Sequence, residues 1–133
     1  MSGVEIIGAL LRAYEPLTAL VLPASIKAGK LPDGVALPAI LVRSVSVVDR
    51  QRLKRGPLIR SEERVSVAVR AATYRDQKAA IRLIRACCAG LTGDFSGCFR
   101  VSILTAGTGP DVGGPANSFE QTQDFRVSFD AAA

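Results

Sequence analysis

The hydrophobic pattern of the chain changes its period at one point, Thr73. Before it, every second residue is a valine (Val65, Val67 and Val69), which is the period of a half-buried strand. After it, apolar residues recur at helical spacing, namely Ala80, Ile81, Ile84, Cys88 and Leu91. The pattern therefore predicts a strand over residues 62–72 that leads directly into an amphipathic helix.

The start, the end and the polar side of this helix carry their own signals. Thr73 and Asp76 form an approximate capping box, and Gly90 and Gly93 provide a C-terminal stop. Four basic residues share a helical stripe well away from the apolar face, and we call them the helix stripe: Arg75, Lys78, Arg82 and Arg85. The helix is therefore predicted to pack on one side and to carry positive charge on another.

The other periodic segments predict one more helix and further strands. Residues 3–14 have the apolar spacing of a helix with Ser2 as its N-cap; Pro16 ends or kinks it, and residues 17–21 add a turn. Strands are predicted over residues 26–31, 39–48, 99–104 and 119–129. We expect an α+β fold: a mostly antiparallel sheet of four to five strands with two main helices packed on it.

The pairing of the predicted strands is inferred from their order along the chain. The strand at 39–48 is expected to lie antiparallel to that at 62–72, and 99–104 to form a hairpin with 119–129. Val101 and Ile103 are expected to point inward on the first strand of this hairpin. On the second strand of the hairpin, three residues are expected to point inward, namely Phe125, Val127 and Phe129.

Two connections are long. Residues 49–60, which contain Gly56-Pro57, predict a long hairpin arm whose tip projects beyond the sheet. Residues 106–118 contain four glycines and two prolines, so we expect this segment to be either flexible in the monomer or ordered by a partner.

Residues 131–133 are expected to be a frayed tail. With no internal repeat and no domain boundary, residues 1–133 are predicted to form a single domain.

Composition limits the class of protein. The chain has 133 residues, 48% of them hydrophobic and 22% charged, which is typical of a globular domain with enough core to need no disulfide. Its three cysteines are an odd number, two are adjacent, and histidine is absent, which favours a reduced setting. The N-terminus lacks a signal-peptide pattern and no apolar run reaches the length of a membrane span. We therefore expect a cytoplasmic protein without a membrane contact.

Positive charge is concentrated in one segment. The chain carries +5, and residues 49–60 alone carry +4, from one aspartate and five basic residues: Arg50, Arg52, Lys54, Arg55 and Arg60. We call these five residues the basic cluster. One interpretation is a docking surface for an acidic partner, and the other is a solvated hairpin end whose charges prevent aggregation.

The sequence gives little indication of an enzyme. Without histidine the commonest general base is missing, and no nucleophile elbow, P-loop or dinucleotide fingerprint is present. Gly107-Thr108-Gly109 lacks the lysine and the following helix of a phosphate loop. Cys87 and Cys88 are interpreted as core residues, and Glu62 and Glu63 as members of charge pairs. We expect no catalytic residue, no metal site and no cofactor.

Non-specific nucleic-acid binding is the alternative from the residues alone. The basic cluster and the helix stripe could both contact phosphates. Sequence reading is not expected, because no helix-turn-helix, zinc-finger or RNP-like pattern is present. Such binding would be directed at the backbone and sensitive to salt.

The order of elements resembles a known family. The segments that carry the resemblance follow the first helix in the order PDGVALPA at 32–39, a strand, the basic segment, RAATY at 70–74, a helix, and DFRVSF at 124–129. This order resembles the tail terminator, or tail completion, proteins of long-tailed bacteriophages and covers nearly the whole chain. The chain departs from the family in residues 49–60 and 106–118.

The resemblance implies a structural virion protein of the tail neck, assembled in the host cytoplasm. It implies a hexameric ring on the head-proximal end of the tail tube, which ends tube polymerisation and takes part in head-tail joining. The implied partners are further copies of the chain, the tail tube protein and a head-completion or stopper protein, with transient contact to DNA passing through the lumen. A head-completion or neck protein is a related alternative. The family brings no catalytic residues.

Overall fold

The computed structural model describes residues 2–133 as an α+β fold. It has three α-helices, α1 (Gly3–Ala13), α2 (Glu15–Thr18) and α3 (Tyr74–Cys88). One sheet contains β1 (Ile26–Ala28), β2 (Ala39–Arg50), β3 (Leu58–Ala71), β4 (Thr92–Phe95), β5 (Cys98–Thr108), β6 (Val112–Gly113) and β7 (Phe119–Ala132). Within the described residues, α1 and α2 precede the first three strands, and α3 separates these from the last four strands of the single sheet.

The sheet is larger and more mixed than the sequence predicts. Its order is β1-β2-β3-β7-β5-β4, with β6 paired to β7 beside this path. β1 runs parallel to β2, and the other pairs are antiparallel. The prediction of four to five strands was wrong because β4 and β6 have four and two residues, too few to produce a period. The predicted pairs β2–β3 and β5–β7 are confirmed.

Both long helices pack on one face of the sheet, which we call the inner face. The alternating valines of β3 are fully buried there, as are Val101, Ile103, Phe125 and Val127. The predicted inward positions of β3, β5 and β7 are therefore confirmed. On α1 the buried face includes Ile6, Ile7 and Leu11, and on α3 it includes the polar Gln77.

The helix boundaries follow local signals. The hydroxyl of Thr73 accepts a hydrogen bond from the backbone N–H of Asp76 at 3.1 Å, which confirms half of the capping box. Gly90 has a φ of +80°, the left-handed conformation that ends helices after α3. Ser2 occupies the N-cap position of α1 without a side-chain capping bond. Pro16 lies in the first turn of α2, so it begins a short helix there.

The opposite, outer face of the sheet carries cross-strand ion pairs between β3 and β7. They are Arg60–Asp130, Glu62–Arg126, Arg64–Asp124 and Arg70–Glu120, with N–O distances of 3.3, 3.0, 2.9 and 2.7 Å. Charge pairing is therefore confirmed for Glu62. Glu63 is different, because it is buried on the inner face and its Oε1 accepts from the backbone N–H of Gly3 at 2.9 Å.

The predicted frayed tail was wrong and the predicted hairpin arm is shorter than expected, for one reason. β7 pairs with β3 along its whole length, from Ala71↔Phe119 to Leu58↔Ala132. Ala133 adds a hydrogen bond from its N–H to the carbonyl of Pro57 at 3.1 Å. The end of β2 and the start of β3 are therefore part of the sheet. Only residues 51–57 form a connecting loop, which we call the basic loop.

Candidate functional site

The basic cluster lies at one end of the sheet, around the basic loop. Arg50 ends β2 and is paired in register with Arg60 near the start of β3, so the two side chains share the outer face. Arg50 approaches Glu62 at 3.7 Å. The other three members lie in the basic loop. The register of one hairpin thus brings together the five residues that the charge count singled out.

One aspartate organises the base of this cluster. Asp130 of β7 is paired with Arg60 at 3.3 Å and with Arg100 of β5 at 2.6 Å. Arg60 also donates to the backbone carbonyl of Arg100 at 2.7 Å. The hydrogen bond from Arg100 holds the pKa of Asp130 below its ordinary value, against the opposing effect of burial. The carboxylate therefore stays charged and fixes both guanidinium groups.

Arg100 was missed by the sequence prediction. It lies within β5 at a φ of +49°, where the strand pairing with β7 is irregular. Its backbone N–H donates to the Asp94 carboxylate at 3.0 Å. No local signal in the sequence points to Arg100, because its partners Arg60 and Asp130 lie 40 and 30 residues away.

The three cations of the basic loop have a different environment. Arg52, Lys54 and Arg55 are exposed, and within residues 2–133 no acidic side chain forms an ion pair with them. Leu53, between the first two, is fully exposed. The loop therefore presents positive charge and one large apolar side chain to solvent.

A shallow depression of about 300 Å³ lies where the loop meets the sheet. Gly56, Pro57 and Leu58 form part of its wall. The rest of the lining is polar and consists of Asp130 and four arginines, namely Arg50, Arg52, Arg60 and Arg100. We call it the arginine depression. Four positive groups against one negative group make it suited to an anionic ligand.

The outer half of β2 is a free sheet edge. β1 pairs only with Ile40–Val42, so in the described part of the chain residues 43–50 have a strand on one side only. A bulge between Ser44 and Ser46 shifts the register, and Val45, Val47 and Val48 are exposed. An exposed strand edge with β-branched residues is a template for pairing with another strand.

The helix stripe is divided into two parts. Lys78 forms an ion pair with Asp111 at 2.8 Å, and Arg85 donates to Thr108 and Gln123 at 3.1 Å each. Arg75 and Arg82 are exposed, and neither is in an ion pair among the described residues. Only half of the predicted stripe is therefore available to a partner.

The partners of Lys78 and Arg85 lie in and beside residues 106–118. Asp111 accepts hydrogen bonds from Tyr74 at 2.9 Å and from Gln77 and Lys78 at 2.8 Å each. The hydrogen bond from Lys78, followed by that from Tyr74, lowers the pKa of Asp111. β6 also pairs with β7. The expectation that this segment is flexible or needs a partner was wrong, because contacts within the chain order it.

Arg50 and Arg60 of the basic cluster and the helix stripe lie on opposite sides of the sheet. Arg60 is on the outer face, whereas α3 packs on the inner face and contacts Gln121 and Gln123. The helix stripe therefore does not continue the positive surface of Arg50 and Arg60.

Cys87 and Cys88 are buried in the core, as predicted, and Cys98 is buried as well. Cys87, Cys88 and Cys98 are all free thiols. The hydrogen bond with Cys87, together with burial, raises the pKa of Cys88, so this thiol stays neutral. Within residues 2–133, no group of three or more His, Cys, Asp or Glu side chains could hold a metal ion. None of the helices in that range is long and apolar enough to cross a membrane.

Comparison with known proteins identifies the fold. No family model and no curated protein matches the chain. Among solved structures, the chain is similar to one in "Virion of native gene transfer agent (GTA) particle", with a TM-score of 0.71 and 15% sequence identity. The likeness covers 98% of this chain and 96% of the other. The two chains therefore share a fold over nearly their whole lengths.

Proposed function

We propose that the chain is a structural subunit of a phage-like virion and acts there as a tail terminator, without enzymatic activity. In this role copies of the chain form a hexameric ring at the head-proximal end of the tail tube, end tube polymerisation and offer a surface to a head-completion protein. The observation that carries the proposal is the shared fold with a chain of a gene transfer agent virion, at a TM-score of 0.71. The order of sequence segments that resembles tail terminators supports the finer role.

The free edge of β2 supports assembly into a ring. A contact between two different surfaces of identical subunits closes into a ring when its rotation angle allows. Arg43–Arg50 offers unpaired backbone groups and three exposed valines for the first of these surfaces. The second surface is then a different part of the neighbouring copy.

Sedimentation and negative-stain microscopy of the purified protein test the ring. We expect a hexameric species, and Val47→Lys should shift it towards monomers because a lysine on an edge strand opposes strand addition. Leu22→Lys is the matched control, since Leu22 is 60% exposed, against 51% for Val47, but lies outside the strands. A wild-type monomer at every concentration and ionic strength would contradict the ring, and rings unaffected by Val47→Lys would contradict the edge contact.

The basic loop supports a contact with the next component of the particle. Its three cations have no acidic partner in residues 2–133, so their charge is available to another protein. Reversing Arg52 and Lys54 to glutamate should reduce head-tail joining in an assembly assay. Normal joining together with normal tail length would contradict this contact.

The same three cations favour a second candidate, a stand-alone module that binds nucleic acid non-specifically. It predicts a monomer whose affinity for a duplex oligonucleotide falls steeply between about 50 and 200 mM salt. Titration at several salt concentrations, combined with sedimentation, distinguishes the two functions.

A further inference from the structure

We propose that the arginine depression binds carboxylate groups of an acidic segment on a protein partner. The proposal rests on the proposed function, and it deepens that function by naming the chemistry of the partner. Four arginines and one aspartate line the depression, which leaves an excess of three positive charges around a space of about 300 Å³. Guanidinium groups bind carboxylates through paired, charge-assisted hydrogen bonds, so side chains of glutamate or aspartate suit this lining.

Two of the four guanidinium groups are oriented before any ligand arrives. Asp130 holds Arg100 at 2.6 Å and Arg60 at 3.3 Å, and Arg60 is further tied to the Arg100 carbonyl. The side chain of Arg100 is nevertheless 72% exposed. A guanidinium has five N–H donors, and these contacts leave some of them for a ligand. Groups that are already ordered lose less entropy on binding, which favours affinity at this place.

Arg50 and Arg52 supply the adaptable side of the depression. Arg50 is 69% exposed and its contact with Glu62 is long, at 3.7 Å. Arg52 is exposed and has no ion pair among the residues that the structure describes. Both side chains can therefore turn towards an incoming anion without breaking a strong internal contact.

The surroundings favour a protein over a nucleic acid. Leu53 is fully exposed beside Arg52, and Leu58 in the wall is 41% exposed. Arginine beside exposed apolar side chains is typical of protein–protein interfaces. A nucleic-acid backbone, in contrast, is bound by positive charges that extend along a row of phosphates. The helix stripe does not extend the depression into such a row of charges, since it lies across the sheet from Arg60 and two of its members are paired within the chain.

Fluorescence anisotropy with two labelled probes tests the proposal. One probe is a short peptide rich in glutamate with interspersed leucine, and the other is a duplex oligonucleotide. Arg50→Gln/Arg52→Gln should weaken peptide binding about tenfold. Arg75→Gln/Arg82→Gln removes the same charge from exposed positions on α3 and should change it less than about twofold. Leu53→Ser should weaken binding of the peptide and leave binding of the oligonucleotide unchanged.

Three results would overturn the proposal: equal losses in both double variants, tighter binding of the oligonucleotide than of the peptide, or no peptide binding by the wild type. Sedimentation of the same samples separates this inference from the proposed function. Rings that do not bind the peptide would refute the acidic-segment site alone. Peptide binding by a chain that remains monomeric would refute the ring alone.

Discussion

The basic loop, residues 51–57, and the Gly/Pro segment, residues 106–118, use their polar side chains in opposite ways. Asp111 of the Gly/Pro segment accepts hydrogen bonds from three residues of α3. Arg52, Lys54 and Arg55 of the basic loop have no acidic partner among the described residues. Polar groups that are paired within the chain order a segment, whereas unpaired charges remain for a partner.

The neighbours of each connection explain this difference. The Gly/Pro segment crosses the start of α3, where Tyr74, Gln77 and Lys78 point towards it. The basic loop extends from the end of the sheet, and Asp130, which lines the same depression as Arg52, is already shared by Arg60 and Arg100. We therefore expect substitutions in the first connection to change stability and substitutions in the second to change binding.

The largest effect on stability is expected beside the Gly/Pro segment, from Gln123→Ala. Gln123 is fully buried, accepts from Arg85 and Thr108, and donates to the carbonyls of Gly107 and Asp124. The substitution removes these four hydrogen bonds, although Arg85 keeps its bond to Thr108, and should lower the free energy of unfolding by about 2 kcal/mol. Chemical denaturation measures this change. Gln51→Ala in the basic loop is the control, with an expected change within about 0.5 kcal/mol; equal changes would contradict the comparison.

A smaller effect on stability is expected when the pH is lowered. Because hydrogen bonds lower the pKa of Asp111 in the folded state, its contribution to stability is fully present above the pKa of an unfolded aspartate, about 3.9. This contribution is lost as pH falls through the lower folded pKa. Hydrogen-exchange protection factors of residues 106–118 should therefore fall as the pH is lowered below about 3.9, before those of the buried residues 65–69.

Asp111→Asn separates this effect from general acid unfolding. The variant cannot titrate at residue 111, so the early loss of protection in residues 106–118 should no longer depend on pH. Asp33→Asn, in another exposed loop, should behave as the wild type. Simultaneous loss of protection in residues 106–118 and 65–69 of the wild type would contradict the role of Asp111.

The smallest effect on stability is expected in the basic loop. Replacing Arg52, Lys54 and Arg55 together by glutamine should change the free energy of unfolding by no more than about 0.5 kcal/mol, because exposed side chains without partners contribute little. Urea denaturation checks this value. A loss above about 1.5 kcal/mol would mean that these cations have a structural role in the subunit.

The candidate site was predictable in part. The charge count located the basic cluster, and hairpin register brings Arg50 and Arg60 together as members of one cluster. Arg100 was not predictable, since its contacts with Arg60 and Asp130 join three separate strands. The helix stripe was correct as a helical surface, but helical spacing cannot reveal that Asp111 pairs with Lys78 from a distant segment.

The sequence by itself determined the features that depend on neighbours along the chain. The strand-to-helix change at Thr73, the cap on Asp76 and the inward positions of β3, β5 and β7 follow from local bonding and from burial periods. Only the tertiary structure decided the bulge at Ser44/Ser46, the full pairing of β3 with β7, and the docking of residues 106–118. These features join residues far apart in the chain, so their energies depend on which surfaces the fold brings together.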